Sequence, residues 1–330
     1  MKKNVSVILP AYNAGPFIAD AIQSILNQTY TNFELIIIND CSTDNTEETI
    51  LSFSDPRIVY HKNTQNRGLI YNLNLGISLA CGKYIVRMDA DDISMPTRIQ
   101  EQVDFMNANP EIGISGTGFH SFGNNINTTT FYEFTDNDIK LQMLHHCRFC
   151  HPTVIIRKQV LDDYNLTYSA DYPHAEDYEL WARMSFITKF ANIQKILLKY
   201  RIHSSSVTFT YTGTQRKNSD RVIEYFFNKI GVDIDIAIIP LWMRFCYADF
   251  NLSITEIEQI ENLSLSLIHA NNHSNYVSKA AMENFLSEKW FNLCYNNAKN
   301  KDVKTLFNNS KISALLPFKR HFKFLLKSLL

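Results

Sequence analysis

No stretch of this chain approaches the ~20 consecutive apolar residues that a membrane-crossing helix requires. An excess of charge of either sign is also missing. The 32 basic and 33 acidic residues nearly cancel, so nucleic acid is not an expected partner. The six cysteines (Cys41, Cys81, Cys147, Cys150, Cys246 and Cys294) are scattered, which excludes a disulfide framework of the secreted kind. Met1-Lys2-Lys3-Asn4 leads into a short apolar run ending at Pro10. That run is too short for a signal-peptide core and lacks a small-residue cleavage site, so a cytoplasmic location is expected. Gly113, Gly116 and Gly118 fall in the wrong order for a dinucleotide fingerprint, and no acidic residue is suitably placed beyond them. Ala11-Tyr12-Asn13-Ala14-Gly15-Pro16 is no glycine-rich phosphate loop, which argues against a sugar-nucleotide pyrophosphorylase. The run His145-His146-Cys147-Arg148-Phe149-Cys150-His151 has zinc-binding residue types, but no second ligand pair accompanies it at the required spacing.

What is present is a core. Hydrophobic residues make up 45% of the 330, enough for one large domain or two ordinary ones. Val5–Leu9, Phe33–Ile38, Arg57–Tyr60 and Tyr84–Met88 read as short buried strands. Between them, Phe17, Ile18, Ala21, Ile22, Ile25 and Leu26, and then Leu69, Leu73, Leu75 and Leu79, recur at helical spacing. Pro96 suits the first turn of a further helix carrying Ile99, Val103 and Met106. The alternation predicts an α/β class with a mostly parallel, Rossmann-like sheet, whose ligands bind beyond the carboxyl ends of the strands. Asn13, Asp40 and Asp89/Asp91 all follow strand ends and are expected to converge there. After Ile112 the strands read as shorter and more mixed. From about residue 213 onward the pattern is helical, giving expected domains of 1–212 and 213–330.

Asp89-Ala90-Asp91 is the strongest local signal. Two carboxylates leaving a strand at alternate positions suit a hard divalent cation that also takes diphosphate oxygens. Taken alone, the pair reads equally well as an acidic loop capping the next helix. Glu176-Asp177 opens a helix carrying Leu180, Trp181 and Met184, and acids in a first turn are common without chemistry. Tyr12 alone would read as a packed aromatic, and Arg67 as a surface ion-pair partner.

The order of the motifs decides between these readings. Pro10-Ala11-Tyr12-Asn13, Asn39-Asp40-Cys41-Ser42-Thr43-Asp44, Asn66-Arg67-Gly68, Arg87-Met88-Asp89-Ala90-Asp91-Asp92, Pro96-Thr97-Arg98, Ala175-Glu176-Asp177-Tyr178-Glu179-Leu180-Trp181 and Tyr200-Arg201-Ile202-His203-Ser204-Ser205-Ser206 follow one another. This series, over residues 5 to about 206, resembles the family-2 inverting glycosyltransferases, which have the GT-A fold. One departure is Asn39-Asp40-Cys41, where the family more often shows Asp-Asp-Gly.

The resemblance implies a metal-dependent hexosyl- or N-acetylhexosaminyl-transferase of bacterial surface-glycan type, such as lipopolysaccharide or capsule. It would use a UDP-sugar donor, Mn²⁺ or Mg²⁺, and a glycan or lipid-linked acceptor. It implies Tyr12 against the base and Asp40 on its imide N–H, with Pro10, Asn13, Asn66, Arg67 and Ala90 in the donor pocket. Arg67 would pair with Asp40 or Asp89. Asp89 would contact ribose and metal, Asp91 metal and diphosphate, and Arg201 and His203 the diphosphate or metal. His151 would lie near the donor sugar, Glu176 would orient acceptor or sugar, and Asp177 would be the catalytic base. A non-catalytic nucleotide-sugar-binding module would have no need of Asp177 beside intact Asp89 and Asp91. The helical remainder is expected to make acceptor, membrane or oligomer contacts. Its basic and apolar segment 317–330 reads either as a membrane-surface helix or as a helix packed on the domain.

Overall fold

The computed structural model describes residues 3–203 and 212–329. Ser204-Ser205-Ser206, the end of the last motif, lies outside the described residues. The chain divides into two compact units, one of residues 1–139 with 147–218 and one of 140–146 with 219–330. Segment 140–146 therefore goes with the helical remainder, although no composition break marks it.

The first unit holds one nine-stranded sheet. Its strands are β1 (Val5–Ala11), β2 (Phe33–Asn39), β3 (Ile58–Lys62), β4 (Tyr84–Arg87), β5 (Ile93–Ser94), β6 (Ile112–Gly123), β7 (Ile126–Thr130), β8 (Ile155–Arg157) and β9 (Lys189–Arg201). They lie in the order β3-β2-β1-β4-β8-β6-β9-β5, with β7 on β6. The sheet is mixed. β3, β2, β1 and β4 run parallel, as do β6 and β9, whereas β8 is antiparallel to both β4 and β6. The helices are α1 (Ile18–Leu26), α2 (Thr46–Leu51), α3 (Leu69–Leu79), α4 (Arg98–Ala108), α5 (Asp136–Met143, its later part counted with the second unit), α6 (Lys158–Asp163) and α7 (Glu176–Ser185).

β1 and β2 are buried at every residue, as continuous apolar runs in a sheet covered on both faces should be. Val5, Val7 and Leu9 share a core with Ile18, Ala21, Ile22 and Ile25 of α1 and with Ile99, Val103 and Met106 of α4. Ile8 points the other way, against α3. A Cβ on Gly76 of α3 would stand 2.4 Å from Ile8 Cγ2, so glycine is what lets this helix approach the sheet. A buried polar link fixes the α3–β4 turn: Ser6 Oγ donates to Glu34 Oε1 at 2.5 Å, and Cys81 N and Gly82 N donate to Glu34 and Ser6.

The later strands are longer than the sequence pattern indicates, with 12 residues in β6 and 13 in β9. Register shifts between Ile112 and Ile114 and around Gly118 break the alternation of inward and outward residues along this pair. Two-residue β5 pairs with Leu198 and Lys199 of β9, which carries the Asp91-Asp92 loop to the end of β9.

The second unit is helical. It includes the later part of α8 (Thr212–Ile230), then α9 (Ile239–Cys246), α10 (Ile254–Ser274), α11 (Lys279–Asn296), α12 (Lys301–Asn309) and α13 (Phe318–Leu329). Phe226, Phe227, Trp242, Trp290, Phe291 and Phe307 are fully buried. Ser253 and Glu256 form a reciprocal capping box on α10, and Ser278 and Asn300 cap α11 and α12. Among the described residues no helix is long and apolar enough to cross a membrane.

The α3–sheet contact yields a test. Gly76→Val should lower stability by about 1–3 kcal/mol through overpacking against Ile8, read as a lower urea midpoint with unchanged slope.

Candidate active site

Loops leaving β1 and β2 are tied together. Asn13, in a left-handed conformation at φ 48°, accepts from Thr43 N at 2.8 Å and donates its own N–H to Ser42 Oγ at 3.0 Å. Cys41 also takes a positive φ, 60°, a conformation that favours glycine. Pro10 is buried within β1 beside Ile38, and Tyr12 stands just beyond with 51% of its surface exposed.

Asp40 is 3% exposed and held by several donors. Its Oδ1 accepts from Asn63 Nδ2 at 2.7 Å and Arg67 N at 2.8 Å, and its Oδ2 from Gly68 N at 2.8 Å. Burial alone would raise this carboxyl. The donors from Arg67, Asn63, Asn72 and Gly68 outweigh burial and hold it below the usual range, so it stays ionised. The expectation of an Arg67 guanidinium on Asp40 or Asp89 needs correction. Arg67 reaches Asp40 through its backbone N–H, while its exposed guanidinium lies 4.5 Å over the Tyr71 ring. Asn66 is exposed in the same loop.

Asp89 pairs instead with Arg87, two residues earlier and on the same face of the chain as it leaves β4. Burial works against the Arg87 charge, but contact with Asp89 outweighs it and raises the pKa. Arg98, fully buried at the start of α4, donates to Arg87 O at 2.8 Å and to Gln102 Oε1 at 3.1 Å, bracing this strand end from below. Ala90 is partly exposed between the two acids of the motif. Asp89, Asp91 and Asp92 can each present a carboxylate oxygen with all three within 4.8 Å.

The end of β9 closes on this loop. Arg201 N donates to Asp92 Oδ1 at 2.8 Å, and Arg201 Nε to Asp91 O at 2.7 Å. Its Nη2 reaches Asp20 at 3.1 Å, and the guanidinium lies over Phe17 and Phe122. In this arrangement Arg201 braces the acidic loop. His203 Nε2 lies 2.8 Å from Asp91 Oδ2, and its ring stacks on Phe17 at 4.9 Å.

Glu176 and Asp177 are the first residues of α7, which follows His174 at φ 66°. Leu180, Trp181 and Met184 are fully buried, so the packed face of α7 fixes where its first turn sits. Burial pushes the Asp177 carboxyl up to about 7, and the Glu176 charge adds to this, while donation from Tyr178 N at 2.7 Å works against it. Glu176 is buried and likewise raised, with the charges of Arg87 and Asp89 acting on it from opposite directions. His151 lies on a 3₁₀ turn, His151–Thr153, with Nε2 2.9 Å from the Tyr168 hydroxyl and both rings against Trp181. Burial, with the Arg87 charge, holds His151 well below its ordinary value, so it is neutral.

Residues 6–164 match the family model "Glycosyl transferase family 2". An uncharacterised glycosyltransferase of Haemophilus influenzae is 37% identical over 248 residues, covering 70% of this chain and 77% of its own. The chain belongs to glycosyltransferase family 2. A second relative is the Escherichia coli UDP-Glc:alpha-D-GlcNAc-diphosphoundecaprenol beta-1,3-glucosyltransferase WfgD. It is 32% identical over 212 residues, covering 62% of this chain and 79% of its own. Among solved structures, S. aureus TarS in complex with UDP-GlcNAc has a TM-score of 0.60 at 14% identity, covering 92% of this chain and 91% of its own. The mannosyltransferase PcManGT from Pyrobaculum calidifontis, in complex with GDP-Man and Mn²⁺, has a TM-score of 0.53 at 15% identity, covering 100% of this chain and 88% of its own. These structures establish the GT-A-like fold of this glycosyltransferase.

Four residues with structural roles at this strand end and around His151 had no assignment from the family-2 motifs: Arg87, Asp92, Arg98 and Tyr168. Arg87 carried a signal, since it alternates with Asp89 on one face; Tyr168 sits in a loop with no motif. The donor set suits a hard cation, being carboxylate oxygens with one imidazole alongside. Asp92 Oδ2 is buried with no hydrogen-bond partner among the described residues, so the cluster has an oxygen that lacks a donor.

Removing Arg87 tests its role. Losing one member of a fully buried ion pair costs about 3–5 kcal/mol, and the partial exposure of Asp89 brings the expected loss for Arg87→Leu to about 2–3 kcal/mol, measured by urea titration.

Proposed function

We propose that the protein transfers a sugar, with inversion, from a UDP-sugar to a hydroxyl of a glycan or lipid-linked acceptor, with Asp177 as general base. One observation carries this reading: Asp177, at the first turn of α7, has a carboxyl raised to about 7 and lies within the field of Arg87, the partner of Asp89. A base poised near neutral pH beside an acidic cluster suited to a diphosphate-bound cation is what such a transfer requires.

The donor end is assigned from the chain's own groups. Tyr12 offers its exposed ring to the base. Asp40, held ionised by its donors, is the acceptor for the imide N–H of uracil. Pro10, Asn13, Asn66, Arg67 and Ala90 line this end, Asp89 meets the ribose, and Arg201 holds the acidic loop. Asp89 and Asp91, with His203, would hold Mn²⁺ or Mg²⁺, which when bound supplies charge neutralisation for the departing diphosphate. Neutral His151 lies near the donor sugar, and Glu176 orients acceptor or sugar.

In the chemical step Asp177 takes the proton from the acceptor hydroxyl as that oxygen bonds to the anomeric carbon. The bond to the diphosphate breaks, and its electron pair leaves with UDP. Attack opposite the leaving group turns an α-linked donor into a β-linked product. Support for donor and acceptor comes from the E. coli relative, named for UDP-Glc and a diphosphoundecaprenol-linked sugar, and from TarS with UDP-GlcNAc. Bacterial surface-glycan assembly on the cytoplasmic side of the membrane is the process that fits this pairing.

Asp177→Asn should lower kcat by about 10²–10⁴-fold while UDP binding, measured by calorimetry, stays close to wild type. Near-normal turnover of that variant would remove the mechanism. A base with a pKa of about 7 is protonated below it, so kcat/KM should fall tenfold per pH unit below about 7 and level off above. Chelation with EDTA should abolish transfer, and added Mn²⁺ or Mg²⁺ should restore it.

A further inference from the structure

Helix α13 (Phe318–Leu329) has two apolar faces. The inner one is anchored. Phe324 is 2% exposed and stacks on Phe307 with ring centres 3.8 Å apart. Arg320 pairs with Glu288 and lies over Phe291, and Lys323 and Lys327 lie over the Tyr295 ring. At 3.6 residues per turn, Leu325, Phe318, Leu329, Phe322 and Leu326 fall within an arc of roughly 100° on the other side. All five are exposed, from 48% for Leu326 to 82% for Phe318. A helix that only packed on its own domain would turn polar residues outward on that arc.

The charge around the arc selects its partner. Lys319 and Lys323 border it on one side, and Arg320 and Lys327 complete the basic flank. From residue 303 to 330 the chain carries Lys304, Lys311, Lys319, Arg320, Lys323 and Lys327 and no Asp or Glu. Two copies of α13 meeting face to face would set lysine against lysine with no acid to answer them. An anionic lipid surface answers both features: aromatic and leucine side chains enter the acyl boundary, while lysine stems reach up to the headgroups. At 12 residues the helix spans only about 18 Å, so it would lie in the interface and not cross it.

We propose that the outer face of α13 is a membrane-docking surface for anionic phospholipid, with Phe318, Phe322, Leu325 and Leu329 inserted and Lys319 and Lys323 on the headgroups. Docking is independent of the sugar-transfer chemistry assigned above.

The test is co-sedimentation of the full chain with phosphatidylcholine vesicles, with and without phosphatidylglycerol. The chain should pellet with the anionic vesicles and bind pure phosphatidylcholine far more weakly. Lys319→Gln with Lys323→Gln should weaken binding on the order of 25-fold, about fivefold per lysine near the surface. Phe318→Ser, Phe322→Ser, Leu325→Ser and Leu329→Ser together should abolish it, leaving the thermal melt and UDP-sugar hydrolysis as in wild type. Undiminished vesicle binding by the serine variant would overturn the proposal. So would a wild-type chain that ignores vesicles but sediments as a dimer which the serine substitutions dissociate.

Discussion

One guanidinium buried at the end of β4 organises the candidate site. Arg87 is 4% exposed, and no side chain carries a buried positive charge cheaply without an anion in contact. Asp89 supplies that anion from two residues away, where the chain leaves the sheet with Arg and Asp on one face. Arg98 then holds the Arg87 carbonyl, and Val154 O, just before β8, receives the Arg87 N–H at 3.2 Å. The strand end is thereby clamped from both sides before the acidic loop begins. The same positive charge reaches past Asp89: it adds to the lowering of His151 by burial and offsets part of the elevation that burial gives Tyr168, Glu176 and Asp177.

Holding an acidic loop in place needs a second clamp, and β9 provides it. Two-residue β5 hydrogen-bonds to β9, and Arg201 at the end of β9 donates to both Asp92 Oδ1 and Asp91 O. Burial and then the neighbouring carboxyls, all three within 4.8 Å, raise the proton affinity of Asp92, and that backbone donor works against the rise. The long, bulged β6–β9 pair thus carries a positioning role that its sequence hides.

That concealment separates what is legible in the sequence from what is not. β1 and β2 were legible because a fully buried parallel strand is an uninterrupted apolar run. β6 and β9 were not, because Gly116 and Gly118, the polar residues of Lys189–Arg201 and the register shifts interrupt the two-residue period on which strand reading depends. The family was legible through an ordered set of short motifs spread over some 200 residues, a pattern that survives when each piece alone is ambiguous. Which arginine meets Asp89 was not: Arg67 and Arg87 both flank motif positions, and only the folded chain shows that Arg67 spends its backbone, not its side chain, on Asp40. Tyr168 was invisible because its partner His151 is 17 positions away, across β8 and α6, and no sequence period links the two.

Asp40 and Asp177 show why residue type alone does not assign a role. Both are aspartates at the edge of a regular element, and both lose hydration on folding. Asp40 regains it from two backbone N–H groups and neighbouring side-chain amides, so its charge is stabilised and its proton affinity falls. Such a group is an acceptor that stays ionised through the working range, suited to holding a loop or an N–H of a ligand. Asp177 has donation from Tyr178 N and its own N–H, and it stands beside a second buried acid, so desolvation and like charge win and its proton affinity rises to about 7. Such a group can take a proton and give it up again near neutral pH. The difference lies in donor count and neighbour charge, both consequences of where β2 ends and α7 begins, so one fold gives the same side chain a low proton affinity at one element's edge and a raised one at another's.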